Sequence, residues 1–150
     1  MPQTILFLCT GNYYRSRMAE EMFNYLAEQQ GLDARAFSRG LFRSPADTGN
    51  VGPFSPFARQ VLARYGIPPQ RSHQFPQRVT ADDLRRADRV IALYRRQHEP
   101  MLRAQFPECL DKVTFWSVPD LDEMSADQAG AMVYREVQAL VEELRNGARR

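Results

Sequence analysis

Thr4-Ile5-Leu6-Phe7-Leu8-Cys9-Thr10-Gly11-Asn12-Tyr13-Tyr14-Arg15-Ser16 is the stretch that decides the architecture of this chain. The run from Thr4 to Leu8 is short, unbroken and apolar, the pattern of a strand buried on both faces. After Ser16, Ala19, Met22, Phe23 and Leu26 recur at helical spacing, and Gly31 ends the pattern as a C-cap. Between strand and helix lies a loop that opens with Cys9 and, after five intervening residues, closes with Arg15 and Ser16. Such a turn gathers backbone N–H groups around one point, at the positive end of the helix dipole, and so binds a phosphate-sized anion. The same field stabilises a thiolate at the first loop position. Arg15 closes the far side with a two-pronged hydrogen bond to an oxyanion. A nucleophile and an anion cradle therefore occupy one short loop.

Working outward, strand-like and helix-like segments alternate. Ala34 to Ser38 reads as a second strand, Arg89 to Leu93 as a third and Val113 to Trp116 as a fourth. A Pro/Gly-rich stretch from Ser44 to Pro56 is long enough for a functional loop. Ser55 before Pro56 reads as an N-cap with proline in the first helical turn. Ala58, Val61, Leu62 and Tyr65 supply that helix's apolar stripe, and Gly66 closes it. Thr80 begins a short helix, and another runs from about Arg95 to Phe106. Ser125 with Gln128 makes a capping box ahead of a last helix that buries Val133, Val137, Leu140, Val141 and Leu144. This order predicts an α/β fold of three layers, a four-stranded parallel sheet with helices on both faces, in one domain over residues 1–150. Ligands of such sheets bind beyond the carboxyl ends of the strands. Cys9 follows the first strand and Asp120 the fourth, so both can face one crevice.

Composition narrows the function. A chain of 150 residues with 43% hydrophobic content has the makings of an ordered core. No apolar segment approaches the roughly 20 residues that span a bilayer, and the first apolar run lacks a basic leader, so the expected location is cytoplasmic. Cys9 and Cys109 offer no disulfide framework, and a reactive thiol persists best in a reducing compartment. The net charge is +2, and the arginines are scattered among 18 acids, which argues for neither nucleic acid nor membrane as partner. Arg149 and Arg150 read as a frayed end. No His/Cys cluster has metal-ligand spacing, and the expected cofactor is none.

The loop resembles the signature C-x-G-N-x-C-R-S of the low-molecular-weight protein tyrosine phosphatases, departing from it only at Tyr14, where that family usually carries a second cysteine. Weaker likenesses follow at Ser38-Arg39-Gly40, at Ala87-Asp88-Arg89-Val90-Ile91 and at Pro119-Asp120, so the resemblance spans essentially the whole chain. It implies the flavodoxin-like phosphatase I topology and a cysteine-dependent phosphatase acting on phosphotyrosine or a related phosphate monoester, with inorganic phosphate as product. By the same resemblance, Cys9 attacks phosphorus to give a cysteinyl-phosphate, and Arg15 with the loop N–H groups holds the equatorial oxygens. Ser16 hydrogen-bonds the Cys9 sulfur. Thr10, Gly11, Asn12, Tyr13, Tyr14 and Ser16 complete the phosphate and substrate contacts, Gly11 and Asn12 by accepting positive φ values. The family's general acid is an aspartate before a proline. Asp120 matches in position, but Leu121 replaces the proline, and Asp122 and Glu123 stand where tyrosines often flank the substrate ring. Asp122 is the reserve acid.

Other readings stay open at this level. Tyr13 either packs or stacks on a substrate ring; Tyr14 and Phe42 read as packing, and His73, His98, Arg39 and Arg43 as structural or surface residues. Cys109 reads as an inert small residue. Without a second loop cysteine, oxidised Cys9 needs an external thiol to escape the sulfinic state. Arg15-Ser16-Arg17-Met18-Ala19-Glu20 also resembles the R-S-Q-M-A-E of arsenate reductases, although Tyr94 to Pro100 carries none of the cysteines those enzymes place there. The alternatives are thus an arsenate reductase using an external thiol, or a phospho-ligand binding module without catalysis.

Overall fold

The structure is a computed structural model that describes residues 2–148; Arg149 and Arg150 lie outside the described residues. Along the chain run β1 (Gln3–Cys9), α1 (Arg15–Gln29), β2 (Ala34–Gly40), α2 (Pro56–Arg64), α3 (Ala81–Arg86), β3 (Arg89–Ala92), α4 (Arg95–Gln105), β4 (Val113–Phe115) and α5 (Ala126–Ala148). Single 3₁₀ turns occur at Pro45–Asp47 and Pro107–Lys112. All strand pairs are parallel, in the order β2-β1-β3-β4. The chain leaves β1 for β2 on one side and returns to β3 on the other. A crevice therefore opens where β1 and β3 end, at the reversal of strand order.

The sheet is buried on both faces, as the apolar β1 requires. Ile5, Phe7 and Cys9 face a core built with α1, α2 and α5, whereas Leu6 and Leu8 face a second core with α3 and α4. Phe7 lies 6.2 Å from the Phe23 ring and 5.6 Å from Trp116, centroid to centroid. Its complete burial contributes on the order of 2–3 kcal/mol. Gly130 on α5 allows close approach to α2, since a Cβ there would sit 2.4 Å from a Val61 methyl.

Helix ends follow local chemistry. The Ser55 hydroxyl accepts from the N–H groups of Phe57 and Ala58 at the start of α2, a cap worth about 1 kcal/mol. Thr80 and Asp83 exchange hydrogen bonds in a capping box on α3. Gly31 and Gly66, each just past a helix, take φ of 64° and 68°.

Two expectations change. Arg39 is not a surface residue: its guanidinium pairs with Asp83 at 3.1 Å and stacks on Phe37, because the start of α3 covers the end of β2. The stripe on α1 is also wider than its apolar residues, for Arg17, Glu20, Glu21 and Asn24 are buried as well. Asn24 pairs with the backbone of Ala36 on β2 and Glu20 with the side chains of Ser38 and Arg71, while the other two bind loop backbones lying over the helix. Arg17 donates to the carbonyls of Asn12, Pro53, Arg71 and Gln74, and Glu21 accepts from the N–H groups of Gln70 and Arg71. A buried arginine with four carbonyl acceptors fixes the segments that wall the crevice. No described helix is long and apolar enough to cross a membrane.

Candidate active site

Five carbonyl groups in and beside the loop after β1 are taken up by neighbouring donors. Those of Cys9, Thr10, Tyr13 and Tyr14 accept from the N–H groups of Leu41, Phe42, Ser55 and Met18 at 2.9 to 3.1 Å, and that of Asn12 accepts from Arg17 at 3.2 Å. Among the described residues, no backbone N–H of residues 11–15 has an acceptor. A ring of free N–H groups, at the N-terminus of a 15-residue helix, is an anion site.

Asn12 is the keystone of the loop. It has φ 49°, and its amide makes three hydrogen bonds: to the hydroxyls of Ser16 and Ser38, each at 3.0 Å, and from the N–H of Gln77 at 2.9 Å. Ser38 in turn donates to Glu20 at 2.6 Å. Burial raises the pKa of Glu20. Gly11 does not take positive φ, contrary to expectation; a Cβ there would meet only the end of the exposed Asn50 side chain, at 2.8 Å. Ser16 sits 3.0 Å from the Cys9 sulfur. There the Cys9 thiol donates to the Ser16 oxygen, and once the proton leaves the sulfur, the Ser16 O–H is the group that can donate to it.

Arg15 is 2% exposed. Its Nη1 donates to the carbonyl of Val118 at 3.1 Å and its Nη2 to Gln97 Oε1 at 2.8 Å, while Asp120 Oδ2 lies 3.4 Å from Nη2. Asp120 is 44% exposed, and its Oδ1 accepts from the Leu121 N–H at 2.8 Å. A proline at that position would have no N–H to give. Cys9, Gly11, Tyr13, Tyr14, Arg15 and Asp120 together line a cleft of about 370 Å³ whose mouth carries Asn50, Val51, Phe57 and Leu121. Asp122 instead borders a neighbouring hollow beside Tyr94 and Glu123.

The two tyrosines are held differently. The Tyr13 hydroxyl donates to the Val51 carbonyl at 2.5 Å, tying the mouth loop down. Tyr14 is buried, its hydroxyl has no partner among the described residues, and burial with the nearby Asp120 charge pushes its pKa up to about 12. Phe42 packs against Gly40.

The comparisons agree with this geometry. The sequence profile described as "Low molecular weight phosphotyrosine protein phosphatase" matches residues 4–146. The chain belongs to that family. A protein-arginine-phosphatase of Bacillus subtilis is 35% identical over 109 residues, 73% of this chain and 67% of the relative. The low-molecular-weight protein tyrosine phosphatase of T. tengcongensis superposes with TM-score 0.79 at 30% identity, covering 94% of this chain and 99% of that one. The arginine phosphatase YwlE, in a variant with a phosphorylated active-site serine, superposes with TM-score 0.78 at 28% identity, covering 95% and 96%. The fold is therefore the expected phosphatase fold, and the chain is a cysteine-dependent phosphatase.

Sequence reasoning missed Gln97 in this phosphatase's loop support, and it read His98 as structural without naming its partner. His98 is 0% exposed. Its Nδ1 accepts from the Tyr94 N–H at 3.0 Å, so Nε2 carries the proton and donates to the Thr10 hydroxyl at 3.1 Å. The one available signal was a histidine four residues into a helix that starts at the sheet's crevice. Burial, with Arg15 nearby, lowers the His98 pKa from 6.5 to about 3. Between those values the unfolded chain binds a proton that the folded chain refuses, so stability rises with pH across the window. The contribution is complete above pH 6.5 and lost as pH falls towards 3, on the order of 5 kcal/mol in all. Urea unfolding at pH 7.5 and pH 4.5 should show wild-type protein losing more stability than His98→Gln does. Equal losses would refute the assignment.

Proposed function

We propose that this phosphatase removes phosphate from a protein side chain, phosphoarginine being the first substrate class, with Cys9 as nucleophile, Arg15 as oxyanion clamp and Asp120 as general acid. The observation that carries the reading is the ring of unpaired N–H groups around the Cys9 sulfur, closed by Arg15. The Cys9 sulfur attacks phosphorus, the S–P bond forms, and the bond from phosphorus to the leaving nitrogen or oxygen breaks as Asp120 hands that atom its proton. Asp120 then takes a proton from water as the water's oxygen bonds to phosphorus, the S–P bond breaks with its electron pair returning to the Cys9 sulfur, and inorganic phosphate leaves. Thr10, Gly11, Asn12 and Ser16 hold the loop in shape for the trigonal-bipyramidal phosphorus, and Tyr13 and Tyr14 wall the cleft. Asp120 rather than Asp122 is the acid because it alone of the two lines the cleft with Cys9.

Two features favour phosphoarginine. The 35% identical relative is named for that activity, and the hollow next to the cleft carries Asp122, a carboxylate that suits a guanidinium, beside Glu123, which is already paired with Arg96. Phosphotyrosine is the second reading, favoured by Tyr13 and Phe57 at the mouth. Hydrolysis of a phosphoarginine peptide and a phosphotyrosine peptide of otherwise equal sequence decides between them by their kcat/KM ratio. A ratio above one supports phosphoarginine; a ratio below one transfers the assignment to phosphotyrosine.

A further inference from the structure

Arg15 is held by groups of different charge. The Val118 carbonyl and the Gln97 side chain are neutral and lie at 3.1 and 2.8 Å, whereas the Asp120 carboxylate is the longest contact at 3.4 Å and is half-exposed. Arginine has no acceptor, so the Gln97 atom that faces it is necessarily the amide oxygen. Gln97 lies in the first turn of α4, beside His98, which anchors Thr10 at the other end of the loop. One helical turn thus supports both ends of the anion cradle. Among the described residues, Arg15 Nε–H has no partner.

A buried guanidinium needs acceptors to stay in place. If these were carboxylates, the arginine would be fixed but its charge spent, and a phosphate dianion would have to compete for it. An amide oxygen fixes the same N–H direction and leaves the positive charge for the ligand. It also keeps Asp120 from being the only side chain that holds Arg15, so the acid can turn to its proton transfer without releasing the clamp.

Resting on the phosphatase reading of the cleft, we infer that Gln97 is a positioning residue, the neutral anchor that aims Arg15 at the phosphoryl group without adding a second carboxylate to the one Asp120 already sets 3.4 Å away. Gln97→Met removes the acceptor while preserving side-chain length. Gln97→Glu keeps the acceptor and adds the charge.

Binding of inorganic phosphate at pH 7 to the full-length protein, measured by titration calorimetry, needs no turnover. Gln97→Met is expected to weaken it about ten-fold, the scale of one hydrogen bond to a charged group. Gln97→Glu is expected to weaken it further, although its hydrogen bond to Arg15 survives. That ordering is the signature, because a merely structural brace would be restored by glutamate. Wild-type affinity in Gln97→Glu would overturn the inference, and this variant decides the matter even if Gln97→Met fails to fold. Wild-type protein that binds no phosphate would overturn the reading of the cleft and this inference together.

Discussion

Cys9→Ser protein should bind inorganic phosphate and hydrolyse nothing. Turnover of p-nitrophenyl phosphate, assayed with EDTA and a reducing thiol present, should fall on the order of 10⁶-fold, the scale of losing a covalent nucleophile. A serine hydroxyl has almost no ionised fraction at neutral pH, and nothing in the cleft supplies a strong base at that position. Binding survives because the cradle consists of backbone N–H groups and Arg15, none of which depends on the sulfur. Calorimetry and steady-state kinetics on the same preparation separate the two effects. Wild-type turnover in Cys9→Ser would end the assignment of nucleophile.

Asp120→Ala should slow hydrolysis by roughly 10²–10⁴-fold, the usual contribution of a general acid. The loss should grow with the basicity of the leaving group. p-Nitrophenolate departs readily without a proton, so it should show the small end of the range, and an unactivated phenyl phosphate the large end. Asp122→Ala should have little effect on either, because Asp122 faces the neighbouring hollow. Were Asp122→Ala the slow variant and Asp120→Ala normal, the acid would be reassigned. Leu121 gives this comparison its interest. Its N–H holds Asp120 Oδ1, a contact closed to the proline that the family's motif carries, and so directs Oδ2 towards Arg15 and the cleft. The missing proline thus changes how the carboxylate is held without taking it out of the cleft.

Local signals were enough for much of this. Ser55, Gly31, Gly66 and Ser125 mark helix ends through hydrogen bonds and φ values reaching only a few residues, and each acts where the sequence places it. The strand before Cys9 is recognisable because a sheet covered on both faces needs an unbroken apolar run. Buried polar residues were the failures. Arg17, Glu20 and Glu21 on α1 carry the chemistry of surface residues, and periodicity assigns them to solvent. They are buried because the loops after β2 and α2 lie across the helix, with partners 36 to 57 residues away for Arg17. Gln97 and the partner of His98 escaped notice for the same reason, since the contacts to Arg15 and Thr10 span 82 and 88 residues.

What the amino-acid order determined alone was the strand, the loop of Cys9 to Ser16 and the helix behind it, hence the family and the proposed nucleophile. Those features rest on interactions between near neighbours, where spacing and geometry are nearly the same thing. Only the folded chain decided which groups hold Arg15, which aspartate shares the cleft and that His98 stays neutral. Each of these depends on a distance between segments far apart in sequence, and on the burial that follows once helices and loops close over them.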